Sequence, residues 1–135
     1  MADGKYFKLK IITPDRVFYE GEASFIELVT SEGEVGIYKE HIPMTMVVVP
    51  GIVRITEAEE VKIAALHSGF IQVLPEEITI LAEIAEWPEE IDINRANEAK
   101  IRAERRLQMK DPNINLKRAE IALKKSLVRI EVGKE

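Results

Sequence analysis

The sequence has no cysteine, and that absence excludes several classes of protein at once. A disulfide-stabilised scaffold, a thiol nucleophile and a zinc or iron–sulfur site held by thiolates all need this residue. The chain has only two histidines, His41 and His67, which are too few for a metal site built on imidazoles. With 135 residues, 46% of them hydrophobic and 32% charged, it has the size and composition of one globular domain, with or without a small appendage.

Long apolar runs are also missing. The first ten residues lack the apolar core of a signal peptide, and the longest apolar stretches are interrupted by Pro50 and Lys62. None approaches the roughly 18 apolar residues of a membrane-spanning helix. We therefore expect a soluble intracellular protein without direct membrane insertion, while peripheral attachment to a membrane complex stays open.

Motifs for common nucleotide and catalytic sites are absent as well. The chain has no P-loop, no Gly-x-Gly-x-x-Gly, no His-Glu-x-x-His and no Gly-x-Ser-x-Gly. Any nucleotide site in this chain is therefore of another type.

Charge is divided unevenly along the chain. Residues 1–92 contain 7 Lys/Arg and 18 Asp/Glu, a formal charge of −11, whereas residues 93–135 contain 12 and 6, a formal charge of +6. Such asymmetry suggests two parts with different partners.

Residues 5–82 have the pattern of short strands separated by turns. Phe7, Leu9 and Ile11 alternate with other positions, as on a strand with one buried face. The turn signals that follow are Pro14-Asp15, Gly21-Glu22, Ser31–Glu34, Pro50-Gly51 and Pro75. This spacing predicts about eight or nine strands in an antiparallel sandwich or barrel.

The composition changes after Pro88. Asp92 is a favourable N-cap, and no glycine or proline follows until Pro112. Small and apolar residues then recur at helical spacing on two segments, which a break at 111–113 separates. They are Ala96, Ala99, Ala103 and Leu107 on the first segment, and Leu116, Ala119, Leu123, Leu127 and Ile130 on the second. We expect an antiparallel helical hairpin that ends near Gly133.

The chain is thus predicted to be an α+β protein. Residues 1–87 form an N-terminal antiparallel β-sandwich domain, and residues 88–135 form a C-terminal antiparallel two-helix hairpin domain. The apolar face of the hairpin is thin and rich in alanine, so the hairpin has little core of its own. We infer that it docks on another surface, with reversible docking as one option.

Three single residues have both a structural and a functional interpretation. His41 either orders its turn or serves as a base or an interface contact. His67 either ends a strand or acts as a base for Ser68, although neighbouring strand residues point to opposite faces. Trp87 either packs the junction between the domains or covers a bound base as an aromatic lid.

Charged residues cluster on both sides of the junction. Glu83, Glu86, Glu89 and Glu90 form an acidic linker, an acid–base pair or a ligand contact. Cationic residues recur at spacings of 7 and 4 on each helical segment, namely Arg95, Arg102 and Arg106, then Arg118, Lys125 and Arg129. Two such stripes on paired helices repel each other unless an anion or an acidic protein lies beside them, and arginine suits phosphate oxygens. Solvated helix faces are the alternative interpretation.

Several segments, in their order and spacing, resemble the epsilon subunits of bacterial F-type ATP synthases over essentially the whole chain. They are Thr13-Pro14-Asp15, Gly33–Ile37 with His41-Ile42-Pro43, Ser68-Gly69-Phe70, Ile91–Ala96 and Lys117–Leu123. Ser68 and Ile42 stand where the family commonly has a glycine and a small residue.

The resemblance implies a non-catalytic subunit of the proton-translocating enzyme. Its sandwich would attach to the gamma subunit and the membrane c-ring as part of the central rotor. Its hairpin would either fold beside the sandwich or extend along gamma to the catalytic beta subunits and hinder ATP hydrolysis. The implied location is peripheral, on the cytoplasmic face of the bacterial cell membrane.

The resemblance also implies a regulatory ATP site. In several bacilli the folded hairpin binds ATP, without hydrolysing it, through an Ile-Asp-x-x-Arg-Ala motif, and the resemblance leaves a Mg²⁺ requirement open. The motif falls here on Ile91, Asp92, Arg95 and Ala96, and the flanking contacts fall on Glu86, Arg102, Lys125 and Arg129. Lys125 is a departure, because arginine is usual there and a lysine cannot form a forked contact with phosphate.

Three other hypotheses stay open at this point. The chain could be a purely structural rotor adaptor whose hairpin never binds nucleotide. It could be an enzyme that uses Glu83 or Glu86 as acid and base, although it lacks a nucleophile and a metal set. It could bind nucleic acid, although the −11 charge of residues 1–92 opposes a broad basic footprint.

Overall fold

A computed structural model describes residues 4–109 and 115–134 of the chain, and these residues form ten strands followed by two helices. The strands are β1 (Phe7–Ile12), β2 (Val17–Ala23), β3 (Phe25–Thr30), β4 (Gly33–Ile37), β5 (Met44–Val48), β6 (Gly51–Thr56), β7 (Val61–Leu66), β8 (Gly69–Val73), β9 (Glu77–Ala82) and β10 (Ala85–Glu86). A 3₁₀ turn at Pro88–Glu90 leads to α1 (Ile93–Gln108) and α2 (Leu116–Gly133). The predicted β-sandwich followed by a two-helix hairpin is confirmed.

The sheet folds over at β3. The strand order is β10-β7-β6-β3-β5-β8-β9-β1-β2, and β4 lies outside this order, paired antiparallel with the opposite edge of β3. Phe25 at the start of β3 pairs with Thr56 of β6, whereas Thr30 at its end pairs with Val48 of β5. The two halves of the sheet enclose one core, whose fully buried members include Leu9, Ile11, Ile26, Ile55, Ile71 and Ile80.

One strand pair differs from the antiparallel prediction. β1 and β9 are parallel, with Leu9 opposite Ile78 and Ile11 opposite Ile80. Parallel neighbours need a long connection, and the other strands between β1 and β9 supply it. Alternation within either strand cannot reveal this, because the side-chain period is the same in both kinds of pair.

Two turn signals act differently from their predicted roles. Gly21 lies inside β2 rather than between strands, and a Cβ there would lie 2.8 Å from the hydroxyl of Tyr19, so the missing side chain makes room for that ring. The turn predicted at Ser31–Glu34 is shorter, because β4 already begins at Gly33, whose φ of 109° is the left-handed region that glycine tolerates. The side chain of Thr30 closes this turn by donating to the Gly33 carbonyl at 2.9 Å.

The helices begin at side-chain caps. Asp92 accepts from the backbone N–H of Arg95 at 3.1 Å, as predicted, and Asn115 accepts from that of Arg118 at 3.0 Å. The predicted break at 111–113 lies outside the described residues. The end of α2 at Gly133 agrees with the prediction.

The buried face of α2 differs from the predicted one. Ala119 is buried, but Leu116 and Leu127 are 49% and 44% exposed. The remaining buried residues of α2 are Ser126, Val128 and Val132. The helix packs against two neighbours, because it lies along α1 and its Val128 and Val132 also pack with Ala65 of β7. This second contact docks the hairpin on the sandwich.

Candidate functional site

A cavity of about 380 Å³ lies where the sandwich, the linker and the two helices meet. Its volume is in the range of small-molecule sites, about 300–1,000 Å³. Its lining residues are Glu86, Glu90, Ile91, Asp92, Arg95, Ala96, Ala99, Arg102 and Arg129. The structure therefore brings together every residue of the predicted ATP site except Lys125.

The beginning of α1 forms one wall of this cavity. Asp92 caps the helix, so the first free backbone N–H groups and the positive end of the helix dipole lie at the cavity. Arg95, Ala99 and Arg102 follow at spacings of 4 and 3, which places them on one helix face. The short alanine between the two arginines leaves room for a ligand.

Glu86, in β10 of the sandwich, contacts the second wall of the cavity, which is formed by α2. Its Oε1 accepts from Nε of Arg129 at 2.7 Å and from Nε2 of His67 at 3.3 Å. The hydrogen bond from His67 lowers the pKa of Glu86 most, burial opposes it, and the hydrogen bond and charge of Arg129 lower it further, to about 2. The carboxylate therefore stays ionised and is an unsuitable general acid at neutral pH.

Glu90 is turned towards the sandwich instead. It accepts from Arg16 at 2.8 Å and from the backbone N–H of Trp87 at 2.9 Å, and the hydrogen bond from Arg16 lowers its pKa. Trp87 stacks on Phe18 with ring centroids 4.3 Å apart. The linker is thus fixed up to Glu90, and Trp87 packs the junction rather than lining the cavity.

The cavity has an excess of available positive charge. Three carboxylates and three guanidinium groups line it, but Glu90 pairs with Arg16 from outside the lining. Within residues 4–109 and 115–134, neither Arg95 nor Arg102 forms an ion pair. Two guanidinium groups without an ion-pair partner among these residues, beside the helix N-terminus that Asp92 caps, are suited to bind phosphate oxygens.

Lys125 stands one helical turn before Arg129 on α2. It is half-buried and does not line the cavity in this arrangement, so its contact with a ligand stays a prediction. Arg106 and Arg118, the remaining members of the two stripes, are exposed and lie outside the lining.

The two histidines have different environments. Nδ1 of His41 donates to the Ile42 carbonyl at 2.9 Å, in agreement with the turn-ordering interpretation. His67 is fully buried and bonded to Glu86, a contact that sequence reasoning missed. A histidine at the end of an apolar strand was the available signal, because a buried polar ring needs a partner.

A second surface feature lies on the opposite half of the sandwich. Five apolar residues stand side by side on five neighbouring strands, and we call them the apolar row: Val47, Phe70, Leu81, Ile12 and Val17. Val47, Phe70, Leu81 and Val17 are between 45% and 56% exposed. The row borders a shallow cavity of about 630 Å³. A contiguous exposed apolar patch of this kind is typical of a protein interface.

The part of the chain that the structure describes contains neither a membrane-spanning helix nor a metal-binding cluster. In residues 4–109 and 115–134, no helix is both long and apolar enough to cross a bilayer. The same residues contain no group of three or more His, Cys, Asp or Glu side chains placed to hold a metal ion.

Comparison with known proteins gives matches along almost the whole chain. Residues 6–88 match the model of the ATP synthase delta/epsilon chain β-sandwich domain, and residues 89–134 match that of its long α-helix domain. The ATP synthase epsilon chain of Clostridium novyi is 49% identical over 129 residues, 95% of this chain and 98% of the relative. That of Halalkalibacterium halodurans is 43% identical over 126 residues, 93% and 95% of the two chains.

Solved structures have the same fold at lower identity. A chain of the Euglena gracilis mitochondrial ATP synthase superposes with a TM-score of 0.84 at 22% identity, covering 100% of this chain and 85% of that one. The two family models together span both halves of the sequence. The protein therefore belongs to the ATP synthase delta/epsilon chain family, as a stalk subunit and not a catalytic one.

Proposed function

We propose that this chain couples the gamma subunit to the c-ring in the rotor of a proton-translocating ATP synthase, and that it senses ATP. Its sandwich attaches to the gamma subunit and the c-ring at the cytoplasmic face of the cell membrane. Its hairpin binds ATP in the folded state and inhibits ATP hydrolysis in the extended state. The observation that carries the proposal is the cavity whose wall combines Arg95, Arg102 and Arg129 with the capped start of α1.

The residues at the cavity fit a nucleotide by size and by charge. A triphosphate carries several negative charges, and it would neutralise Arg95 and Arg102, which lack ion-pair partners in the described part of the chain. Ala96 and Ala99 leave space between the guanidinium groups. ATP is a regulatory ligand in this scheme, and Mg²⁺ would come with the nucleotide rather than from a protein metal site.

ATP would act by binding only one of two hairpin states. The cavity walls come from the sandwich, the linker and both helices, so it exists only while the hairpin is docked. A ligand that binds only the docked state shifts the equilibrium towards it. A shift from 1:99 to 99:1 needs about 5.5 kcal/mol of differential affinity.

The extended hairpin would act as an electrostatic brake. The +6 charge of residues 93–135 has no phosphate to neutralise it when ATP is scarce. Its arginines and lysines would then bind acidic segments of the catalytic beta subunits, and complementary charge favours such association. ATP shortage would in this way slow ATP hydrolysis.

The apolar row supports the attachment of the sandwich to gamma. Phe70 and Leu81 lie at its centre and are 56% and 52% exposed. Phe70→Ser and Leu81→Ser should weaken assembly with gamma, whereas Val61→Ser, equally exposed at 56% but outside the row, should not. Co-purification of gamma with each variant measures this attachment, and unchanged recovery with Phe70→Ser would contradict it.

A purely structural adaptor is the second candidate function, because Glu86 and Arg129 already pair without a ligand. Titration of the full chain with ATP, monitored by calorimetry and by the fluorescence of Trp87, distinguishes the ATP sensor from the structural adaptor. Saturable binding that Arg95→Ala weakens supports the sensor, with Lys39→Ala as the control for loss of one cation. A lack of binding at millimolar ATP would leave the structural adaptor as the function.

A further inference from the structure

His67 lies on the face of the sandwich that the hairpin covers. It directly follows β7, where Leu66 belongs to the sandwich core and Ala65 packs with Val128 and Val132 of α2. Because side chains alternate between faces along an extended chain, His67 shares the face of Ala65. Its complete burial agrees with this position beneath α2.

Two donors converge on one carboxylate oxygen beside the cavity. Nε2 of His67 lies 3.3 Å and Nε of Arg129 lies 2.7 Å from Oε1 of Glu86. A carboxylate only accepts, so Nε2 carries a proton and donates it. Nδ1 of the same ring has no hydrogen-bond partner among the residues that the structure describes. Within those residues, the contact with Glu86 is therefore the one hydrogen bond that the His67 ring forms.

We propose that His67 is a positioning residue of the nucleotide site, an inference that rests on the proposed ATP binding. His67 holds Glu86, and Glu86 holds the Nε edge of Arg129. Because that contact runs through Nε, it leaves the N–H groups of the two Nη atoms of Arg129 available to a phosphate in the cavity. His67 itself does not line the cavity and acts through its two neighbours.

The geometry gives a physical reason for this arrangement. A glutamate side chain has several rotatable bonds, and fixing it costs conformational entropy that a ligand would otherwise have to supply. The second donor on Oε1 fixes the glutamate side chain before the nucleotide arrives, so that binding no longer has to offset this entropy cost. This is pre-organisation of the site. An apolar residue would fill a buried position at lower desolvation cost, so a histidine here needs the hydrogen bond as its compensation.

Two substitutions separate the hydrogen bond from the bulk of the ring. His67→Gln places an amide nitrogen near the position of Nε2 and keeps the donor, whereas His67→Leu keeps an apolar volume and removes it. His67→Asn retains polarity but is one methylene shorter, so it falls short of Glu86. If the leucine variant does not fold, the comparison of His67→Asn with His67→Gln still tests whether the hydrogen bond to Glu86 is needed.

The first measurement needs no nucleotide. In the full-length chain, the ¹⁵N-resolved resonance of the Arg129 Nε–H should exchange slowly with solvent in the wild type and in His67→Gln. It should broaden or exchange rapidly in His67→Leu and His67→Asn. A purely space-filling role for His67 predicts equal protection in His67→Gln and His67→Leu, and that result would overturn the inference.

The second measurement is calorimetric titration with ATP. Loss of the hydrogen bond should weaken affinity about tenfold in His67→Leu and His67→Asn and less than about threefold in His67→Gln. His41→Leu, at the other histidine, is the matched control and should bind like the wild type. Wild-type affinity in His67→Leu defeats the inference but leaves ATP binding intact. The two proposals can also fail separately. If the wild type binds no ATP, but the Arg129 Nε–H loses its protection in His67→Leu and His67→Asn and keeps it in His67→Gln, the proposed function is wrong and the positioning of Arg129 by His67 still holds.

Discussion

Nε of Arg129 lies 2.7 Å from Oε1 of Glu86, and this ion pair joins helix α2 to the last strand of the sandwich. Both side chains are largely shielded, with 29% and 24% of their surfaces exposed. Removal of one member of a shielded pair leaves the other charge without compensation, which is strongly destabilising. The pair therefore contributes to hairpin docking and to the shape of the cavity at the same time.

Glu86→Gln should change how stability depends on pH. The pKa of Glu86 falls from 4.5 to about 2 in the folded chain, mainly through the hydrogen bond from His67. A carboxyl group with a lowered folded-state pKa contributes stability above its unfolded value and loses it as pH falls through the folded value. Between pH 4.5 and about 2 the wild type should lose about 2 kcal/mol of unfolding free energy that Glu86→Gln does not lose, which is less than the full change in pKa would give because solvent screens a partly exposed carboxylate. Urea denaturation at successive pH values measures this difference, with Glu83→Gln as control, and parallel curves for wild type and Glu86→Gln would contradict it.

Asp92 should have two separable roles. Asp92→Ala removes the N-cap of α1, at a cost of about 1 kcal/mol, and removes a residue of the ATP motif. Asp92→Ser keeps a cap but removes the charge. Hydrogen exchange of the first turn of α1 should increase in the alanine variant alone. ATP affinity by calorimetry should fall in Asp92→Ala, and the serine variant shows how much of that fall belongs to the cap. An unchanged affinity in Asp92→Ala would exclude Asp92 from the site.

The parts of this structure that sequence could predict are the local ones. The cap at Asp92, the alternation in β1 and the end of α2 depend on neighbouring residues. The contacts that build the cavity join residues far apart in sequence: the residue numbers differ by 19 for His67 and Glu86, by 43 for Glu86 and Arg129, and by 74 for Arg16 and Glu90. No periodic pattern encodes such pairs, and only the resemblance pointed to Glu86 and Arg129 together.

The rotation of α2 was also beyond a pattern argument. Helical spacing made Leu116 and Leu127 candidates for the buried face, but both are exposed. Val128 and Val132 are buried instead, because the sandwich and not only α1 covers this helix. The spacing of apolar residues along one helix does not reveal that two different surfaces cover that helix from different sides.

Lys125→Arg should strengthen ATP binding. Lys125 lies one turn before Arg129 and carries a point charge where a guanidinium could form two parallel hydrogen bonds to phosphate. We expect the dissociation constant to fall about three- to tenfold. Lys124→Arg, the adjacent exposed lysine, is the matched control for added guanidinium character. Equal affinities for the two variants would show that position 125 does not reach the nucleotide.

Gly69→Ala should destabilise the sandwich. A Cβ on Gly69 would overlap the carbonyl oxygen of Leu81 and lie 2.9 Å from Cα of Ala82, both of them backbone atoms of the neighbouring strand β9. Strands β8 and β9 would have to separate, at an expected cost of about 3 kcal/mol. Chemical denaturation measures the loss, and Gly4→Ala, where nothing lies within 4 Å of the new Cβ, should be neutral. A stable Gly69→Ala variant would mean that β8 and β9 are not packed this closely in solution.

Truncation after Trp87 should leave a folded sandwich and release the brake. The stack of Trp87 on Phe18, with centroids 4.3 Å apart, is retained and keeps that edge of the core closed. The near-ultraviolet circular dichroism of Trp87 should therefore persist, and unfolding should remain cooperative. In the assembled enzyme, the rate of ATP hydrolysis at low ATP should rise, because the cationic hairpin that would bind the beta subunits is gone. The full-length chain carrying Leu116→Ser, an exposed change outside the cavity, controls for handling during reassembly. Equal hydrolysis rates with the full-length and truncated chains would exclude the brake and favour the structural adaptor.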